Sequence, residues 1–156
     1  MSLAGFSAAN ANCDDISSSS LTPILFAFFL LSYMAATGLP NPQPDHAIRM
    51  VKFARDCMAR MDRLLEELSG SLGKDTMELA MRVGIHSGPV TAGVLRGDKG
   101  RFQLFGDTVN TASRMESNGV KGRIHISAST AALLPAKWLT ERQDKIVAKG
   151  KGEMTT

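Results

Sequence analysis

The stretch "LFGDTVNTASRMES", residues 104–117, puts an amide and a guanidinium on one short helix. Gly106 and Asp107 are typical of a turn that opens a helix, and we expect Asp107 to cap it. Asn110 and Arg114 are four residues apart, so their side chains project from the same helix face. Polar residues of this kind also occur on surface helices where they have no functional role. Whether this face contacts water or a ligand has to be decided from the neighbouring sequence.

The segments around this helix alternate between strand and helix patterns. Apolar residues recur at three- and four-residue spacing from Ala47 to Leu68, which predicts a long helix that begins after Asp45 and ends near Gly70 or Gly73. Apolar alternation predicts strands on both sides of "HSGPV", and "RFQLF" and "RIHIS" are typical of further strands. This order of elements favours an α+β domain with one mostly antiparallel sheet.

The composition is that of one soluble globular domain. The chain has 156 residues, of which 44% are apolar and 21% charged, and its net charge is +3. The basic residues are dispersed and aromatic residues are few, which argues against a nucleic-acid-binding surface. The same composition is compatible with a binding site for a small polyanion. The two cysteines, Cys13 and Cys57, form no disulfide framework, which favours a reducing compartment.

The first 36 residues differ in character from the rest. Residues 1–20 are small and polar with no helical or strand period, and we expect them to be disordered. Residues 21–36 are apolar but shorter than the roughly 20 residues that span a bilayer. We therefore interpret residues 28–36 as a buried strand, with a membrane anchor over residues 21–36 as the alternative.

The segment "MRVGIHSGPVTAGVLRGDKGRFQLFGDTVNTASRMESNGVKGRIHIS" resembles the catalytic domain of class III nucleotidyl cyclases, and its run "LFGDTVNTASRMES" is particularly close to the guanylate cyclase branch. "YMAATGLP", "HAIRMVKFA" and "IVAKGKGEM" agree with the same family. The resemblance covers residues 32–156 and implies a ferredoxin-like α+β sandwich with a mostly antiparallel sheet. By this comparison residues 1–31 are a non-family segment, and the domain is N-terminally incomplete.

The resemblance implies that GTP or ATP is converted into a 3′,5′-cyclic nucleotide and pyrophosphate. Arg114 matches the family arginine that stabilises the charge on the α-phosphate in the transition state. Asn110 matches the asparagine that holds the ribose, and Lys149 matches the lysine that contacts the triphosphate. Lys99 and Arg101 lie near a further basic position of the family.

Gln103 falls at the family position that reads the purine base. Guanylate cyclases usually have Cys there, and adenylate cyclases usually have Asp. A glutamine amide can donate to guanine O6 or accept from adenine N6, so the residue does not decide the purine. A half-buried strand glutamine without a role is the alternative. The resemblance to the guanylate branch favours GTP over ATP.

The metal ligands implied by the family are missing from this chain. The family binds two Mg²⁺ or Mn²⁺ ions through two aspartates, the first in a "F-x-D-I-x-G-F-T" motif. We find no such motif, and "CDDIS" at Asp14 and Asp15 is only superficially similar. The second position is Leu31, which cannot bind a metal ion. Ala27 occupies the acidic position that selects guanine.

Three interpretations of this incomplete set remain open. The chain is the carboxylate-poor half of a heterodimer, an inactive relative, or a cyclase fragment with a foreign N-terminal segment. The abrupt change of composition at "LLSYMAATGLP" favours the third, and we expect the metal ligands from a partner chain or from a missing segment. Family active sites lie at a dimer interface, so we expect a homo- or heterodimer with another cyclase domain and no nucleic-acid partner. The expected location is the cytoplasm or the cytoplasmic face of a membrane, with membrane association through a parent protein.

Overall fold

The computed structural model describes residues 2–7, 26–28, 32–95, 101–140, 146–148 and 152–154. Several residues singled out in the sequence lie outside these ranges: Cys13, Asp14, Asp15, Leu31, Lys99 and Lys149. The strands of the described part are β1 Ser2–Ser7, β2 Phe26–Phe28, β3 Ser32–Thr37, β4 Arg82–Ser87, β5 Thr91–Leu95, β6 Arg101–Phe105, β7 Ile124–Ile126, β8 Ile146–Ala148 and β9 Gly152–Met154. The helices are α1 His46–Leu72, α2 Asp107–Ser117 and α3 Ala128–Ala131, with short 3-10 turns at Lys74–Glu78 and Ala136–Trp138.

Five strands form the main sheet, in the order β2-β3-β1-β4-β7. β1 pairs antiparallel with β3 and β4, β2 pairs antiparallel with β3, and β4 pairs parallel with β7. Two separate hairpins, β5–β6 and β8–β9, are antiparallel. The described part of the chain is therefore an α+β arrangement in which helices pack on a sheet.

The N-terminal strand β1 contradicts the sequence prediction. Residues 1–20 are predicted to be disordered, and this is wrong for Ser2–Ser7, which pair along both edges. Ser7 lies opposite both Ser32 of β3 and Arg82 of β4. A short strand of mostly small residues shows no apolar alternation, and backbone pairing with two neighbours decides its conformation instead.

The apolar segment before residue 37 forms two strands. β2 and β3 pair so that Ala27 lies opposite Tyr33, and β3 ends at Thr37. The predicted single strand over residues 28–36 is thus correct for residues 32–36, whereas residue 28 belongs to β2. No described helix is long and apolar enough to cross a membrane.

Helix α1 covers one side of the sheet, as its periodicity predicts. It follows Asp45, whose carboxylate accepts a hydrogen bond from Arg49 Nε at 2.8 Å, and it ends before Gly73, which has a φ of 99°. Leu68, at the end of the predicted apolar face, is 39% exposed. The buried face consists of Ala47, Met50, Val51, Ala54, Cys57, Met61 and Leu65.

The start of α1 is tied to the end of β3. Thr37 Oγ1 donates to the carbonyl of His46 at 2.9 Å. The buried His46 Nδ1 has no hydrogen-bond partner in the described part of the chain. Burial lowers the pKa of His46 below 6.5, against the opposing effect of Asp45. The neutral ring is the form that suits the N-terminal end of a helix, where a positive charge is unfavourable.

Helix α2 lies directly on the backbone of β4. A Cβ atom at Gly84 would overlap the backbone nitrogen of Glu116 and lie 2.5 Å from its Cα. The residues of α2 that face the sheet are Thr108, Thr111, Ala112 and Met115. Because only glycine leaves room for this approach, Gly84 sets the distance between α2 and the sheet.

The entry into α2 differs by one residue from the prediction. The capping position is Gly106, with a φ of 130°, and Asp107 is the first helical residue, so the predicted Asp107 cap is wrong. A glycine tolerates that φ whereas a residue with a side chain is strained there. The chain therefore turns at Gly106 and enters the helix immediately after β6.

We expect Gly84→Ala to lower the free energy of unfolding by about 2 kcal/mol or more, because the added methyl forces α2 away from β4. Gly70→Ala is the matched control. Gly70 lies in α1 with no described atom within 4 Å of a Cβ, so alanine should stabilise the chain by about 0.5–1 kcal/mol. Urea denaturation of both variants measures the difference. Equal stabilities would show that α2 does not depend on Gly84.

Candidate active site

Asn110 and Arg114 lie on the side of α2 that faces away from the sheet. Asn110 is exposed and Arg114 is half-buried, whereas Thr111 and Ala112 between them are buried. Their spacing of four residues places the two side chains one turn apart on the same side of the helix. The structure therefore places this amide and this guanidinium together, on the outer surface of a helix whose other side packs on the sheet.

The guanidinium of Arg114 has no ion-pair partner among the described residues, where the ion pairs are Arg49–Asp45 and Arg82–Glu116. Glu116 is two residues from Arg114 but points to β4, where its Oε1 accepts from Arg82 Nε at 3.1 Å. Residues two apart do not share a helix face, so this carboxylate does not neutralise Arg114. A half-buried cation without a protein counter-charge suits an anionic ligand.

The C-terminal turn of α2 is held in two ways. The side chain of Glu116 is 13% exposed and anchors the helix to Arg82 at the start of β4. Asn118 donates to the carbonyl of Arg114 from its backbone nitrogen at 3.0 Å and from Nδ2 at 2.8 Å. These contacts fix the backbone that carries Arg114, which is what a preorganised charge donor requires.

The first turn of α2 is held by the loop between β4 and β5. Thr108 Oγ1 donates to the carbonyl of Pro89 at 2.6 Å. A Cβ at Gly88 would lie 2.7 Å from the same hydroxyl, so the loop backbone approaches the helix closely. Asn110 is thus carried by a turn that is attached to the loop after β4.

A buried cluster of hydroxyl groups joins β4 to α3. His86 Nδ1 is 2.7 Å from Ser127 Oγ, and Ser87 Oγ is 2.9 Å from Thr130 Oγ1. Ser127 Oγ is also 3.2 Å from Thr130 Oγ1, so the two pairs are connected. The sequence analysis missed this cluster, although a strand followed by "SAST" is typical of a polar helix start. It fixes the end of β4, from which the Gly88–Pro89 loop leaves.

Gln103 lies in β6, opposite Gly93 of β5, and is half-buried. Its neighbour Leu104 packs against the small cluster formed by Ala36 and Ala112. Successive strand residues point to opposite faces, so the side chain of Gln103 points away from that cluster. The described structure thus places Gln103 just before α2, on the face of β6 opposite the one that packs on this cluster.

The described residues do not fit a site for divalent metal ions. No group of three or more His, Cys, Asp or Glu side chains that could hold a metal occurs among them. At one end of the sheet, Ser7 of β1 lies opposite Ser32 of β3. Near this end, Ala27 of β2 lies opposite Tyr33 of β3. Magnesium is bound in proteins mainly through carboxylates, which this end of the sheet lacks in the described ranges.

Strand β1 has a local similarity of three residues to the motif "F-x-D-I-x-G-F-T". Gly5, Phe6 and Ser7 match the letters Gly-Phe-Thr in kind, and this alignment puts Ser2 at the aspartate position. A neutral serine hydroxyl does not replace a carboxylate as a metal ligand. In the sheet Ser2 lies opposite Thr37, at the other end of β3 from Ser32. The glycine–phenylalanine pair was the signal that could have identified β1 from the sequence.

The sequence matches a known family over most of its length. A family model described as "Adenylate and Guanylate cyclase catalytic domain" matches residues 31–156. Guanylyl cyclase C of Sus scrofa is 45% identical over 130 residues, which cover 80% of this chain and 12% of that protein. The chain therefore spans about one eighth of the length of this relative.

Solved cyclase domains have the same fold. The guanylate cyclase domain of RhGC from Catenaria anguillulae, in complex with GTP, superposes with a TM-score of 0.69 at 32% identity, covering 99% of this chain and 93% of that one. The dimeric guanylyl cyclase domain of the RhoGC fusion protein from Blastocladiella emersonii gives a TM-score of 0.63 at 30% identity, with coverage of 99% and 93%.

The two buried threonines of α2 provide a matched test of how the helix is held. Thr108→Val should lower the free energy of unfolding by about 1–2 kcal/mol, because it leaves the Pro89 carbonyl without its donor. Thr111→Val should leave stability unchanged or raise it, because the buried Thr111 Oγ1 has no partner in the described part of the chain. Denaturant titration compares them, and equal losses would contradict the role of the Thr108 bond.

Proposed function

Because the chain belongs to the family of adenylate and guanylate cyclase catalytic domains, we propose that it supplies the nucleotide-binding half of a cyclase active site. The substrate is a nucleoside triphosphate, GTP in preference to ATP, and the products are the 3′,5′-cyclic nucleotide and pyrophosphate. The observation that carries the proposal is the Asn110–Arg114 pair on the outer side of a fixed helix, with no carboxylate paired to Arg114 in the described residues.

The role proposed for each side chain comes from its match to the family and is consistent with its chemistry. The ribose 3′-hydroxyl attacks the α-phosphorus, and negative charge builds on the α-phosphate oxygens as pyrophosphate leaves. Arg114 stabilises that charge, and it does so without reorganisation because α2 is fixed at both ends. The amide of Asn110, one turn earlier, hydrogen-bonds the ribose and orients its hydroxyl. Lys149, outside the described residues, contacts the triphosphate.

The purine is read by Gln103. Its amide presents both a donor and an acceptor, so it can bond either guanine O6 or adenine N6. Ala27, the residue at the guanine-selecting position, has no polar group with which to add discrimination. The similarity to guanylyl cyclases supports GTP, and we expect the preference over ATP to stay below about a hundredfold, or 2.7 kcal/mol.

The metal-binding half belongs to another chain. The family uses divalent ions, Mg²⁺ or Mn²⁺, which neutralise the phosphates when bound, but the described residues of this chain do not fit such a site. We propose a dimer with a cyclase domain that contributes the two aspartates. A homodimer of this chain would assemble without them. We expect the dimer to act in the cytoplasm or at the cytoplasmic face of a membrane.

A non-catalytic role is the second candidate. The missing carboxylates favour it, since a domain that binds nucleotide and dimerises needs Asn110, Arg114 and Gln103 but no metal site. In that case the chain regulates a partner cyclase by occupying its dimer interface. The experiment below separates the two functions.

Complementation tests the proposed function. A family cyclase domain with both metal aspartates intact and its own transition-state arginine changed to alanine should be inactive alone. This chain should also be inactive alone, even with Mn²⁺, because no described carboxylate group holds the metal. Their mixture should produce cyclic nucleotide, since each chain supplies what the other lacks. Light scattering confirms that the mixed dimer forms.

Two results would contradict parts of this scheme. Activity of this chain alone would show that a carboxylate outside the described residues, such as Asp14 or Asp15, completes a metal site. A mixed dimer that forms but stays inactive would reject the catalytic proposal in favour of the non-catalytic one.

Arg114→Ala in the active mixture tests the assignment of the charge donor. We expect kcat to fall by about 10²–10³-fold, because one preorganised donor to the developing charge is lost. KM should change little, since the interaction is strongest in the transition state. Arg123→Ala is the control, because Arg123 is an exposed arginine in the turn before β7. An unchanged kcat for Arg114→Ala would remove Arg114 from the site.

A further inference from the structure

The side chain of Gln103 in the β5–β6 hairpin points to the face opposite the one through which Leu104 contacts the described core. Leu104, whose side chain is on the opposite face, packs on the cluster of Ala36 and Ala112. Gln103 and Phe105 share the other face, since they are two residues apart in one strand. Phe105 is 41% exposed, although it is aromatic. A half-buried amide and an exposed ring are therefore adjacent on this face.

The residue directly opposite Gln103 is Gly93. In an antiparallel pair, opposite residues have their side chains on the same face, so any side chain at position 93 would stand beside the Gln103 amide. A Cβ built at Gly93 meets no described atom within 4 Å. The space is open, and the bare backbone of Gly93 forms its floor.

No local requirement of the described fold explains a glycine at this position. Gly93 is not among the glycines of positive φ, so its backbone conformation suits a residue with a side chain. Glycine in a strand interior weakens the strand, because it adds backbone entropy and has no side chain to pack. A glycine inside a strand often marks a place where a ligand or another backbone approaches closely.

We propose that Gly93 is a specificity-determining residue of the nucleotide site: its missing side chain leaves the surface on which the purine ring lies, with the ring edge at the Gln103 amide. Phe105 borders this surface and adds apolar contact. The inference rests on the proposed function, in which Gln103 recognises the purine base. It explains why the flat purine ring can reach the Gln103 amide. A β-branched side chain at position 93 would occupy the space of the ring.

The test measures binding and does not depend on turnover. Equilibrium dialysis with GTP and, separately, with inorganic tripolyphosphate is carried out on the mixed dimer of this chain and its aspartate-bearing partner, without divalent metal ions so that GTP is not converted during the measurement. Tripolyphosphate has no base, so its affinity reports only the phosphate-binding groups. Gly93→Val should weaken GTP binding at least about tenfold, or 1.4 kcal/mol, and leave tripolyphosphate binding unchanged. Gly93→Ala should weaken GTP binding by a smaller factor.

Ala92→Val is the matched control. Ala92 is exposed, pairs with Leu104 and points to the opposite face of the same strand, so the variant adds bulk away from the proposed surface. It should bind both ligands as the parent does. Thermal unfolding should show both valine variants at least as stable as the parent, because valine favours strands and glycine does not. Light scattering checks that each variant forms the dimer.

The outcomes separate the inference from the proposed function. Unchanged GTP affinity in Gly93→Val would overturn the role of Gly93 and leave the nucleotide site in place. Equal loss of both ligands in a folded, dimeric variant would also overturn it, because the effect would not concern the base. A parent dimer that binds neither ligand would overturn both the inference and the proposed function.

Discussion

The close approach of α2 to β4 at Gly84 is the contact on which the rest of the site depends. The helix backbone near Glu116 occupies the space that a Cβ of residue 84 would need. Because the helix packs directly on the backbone of the strand, main-chain atoms set its distance from the sheet. Main-chain atoms shift less than side chains do, so this distance is well defined. The Arg82–Glu116 ion pair and the Thr108–Pro89 hydrogen bond then fix its rotation and its start. Asn110 and Arg114 take their positions from these constraints.

This arrangement also separates the charges of α2. Glu116 is the acidic residue nearest to Arg114 in the helix, and it is turned toward the sheet and paired with Arg82. The guanidinium that remains on the outer face therefore keeps its charge for a ligand. A partly buried ion pair contributes only modestly to stability, because desolvation offsets much of the attraction. Its main effect here is to decide which cation faces outward.

Local patterns predicted the elements that are amphipathic, and tertiary contacts decided the others. The three- and four-residue spacing of α1 predicted its buried face because one side of it packs on the sheet. Strand β1 has no such pattern, since it is held by pairing on both edges, and the sequence analysis assigned it to disorder. The spacing of Asn110 and Arg114 predicted that they share a face, but only the family resemblance pointed to a ligand. The crowding at Gly84 and the His86–Ser127 contact involve residues distant in sequence, which no local pattern reveals.

Two glycines of this domain show opposite physical reasons for the same residue. At Gly84 the fold leaves no space, and a side chain would separate α2 from the sheet. At Gly93 the fold leaves space that no described atom fills, and a side chain would stabilise the strand. A crowded glycine is explained by the folded chain itself, whereas no described contact explains an uncrowded glycine of ordinary backbone conformation. The proposed role of Gly93 rests on its position opposite Gln103, because a bare backbone beside an amide leaves room for a planar ring.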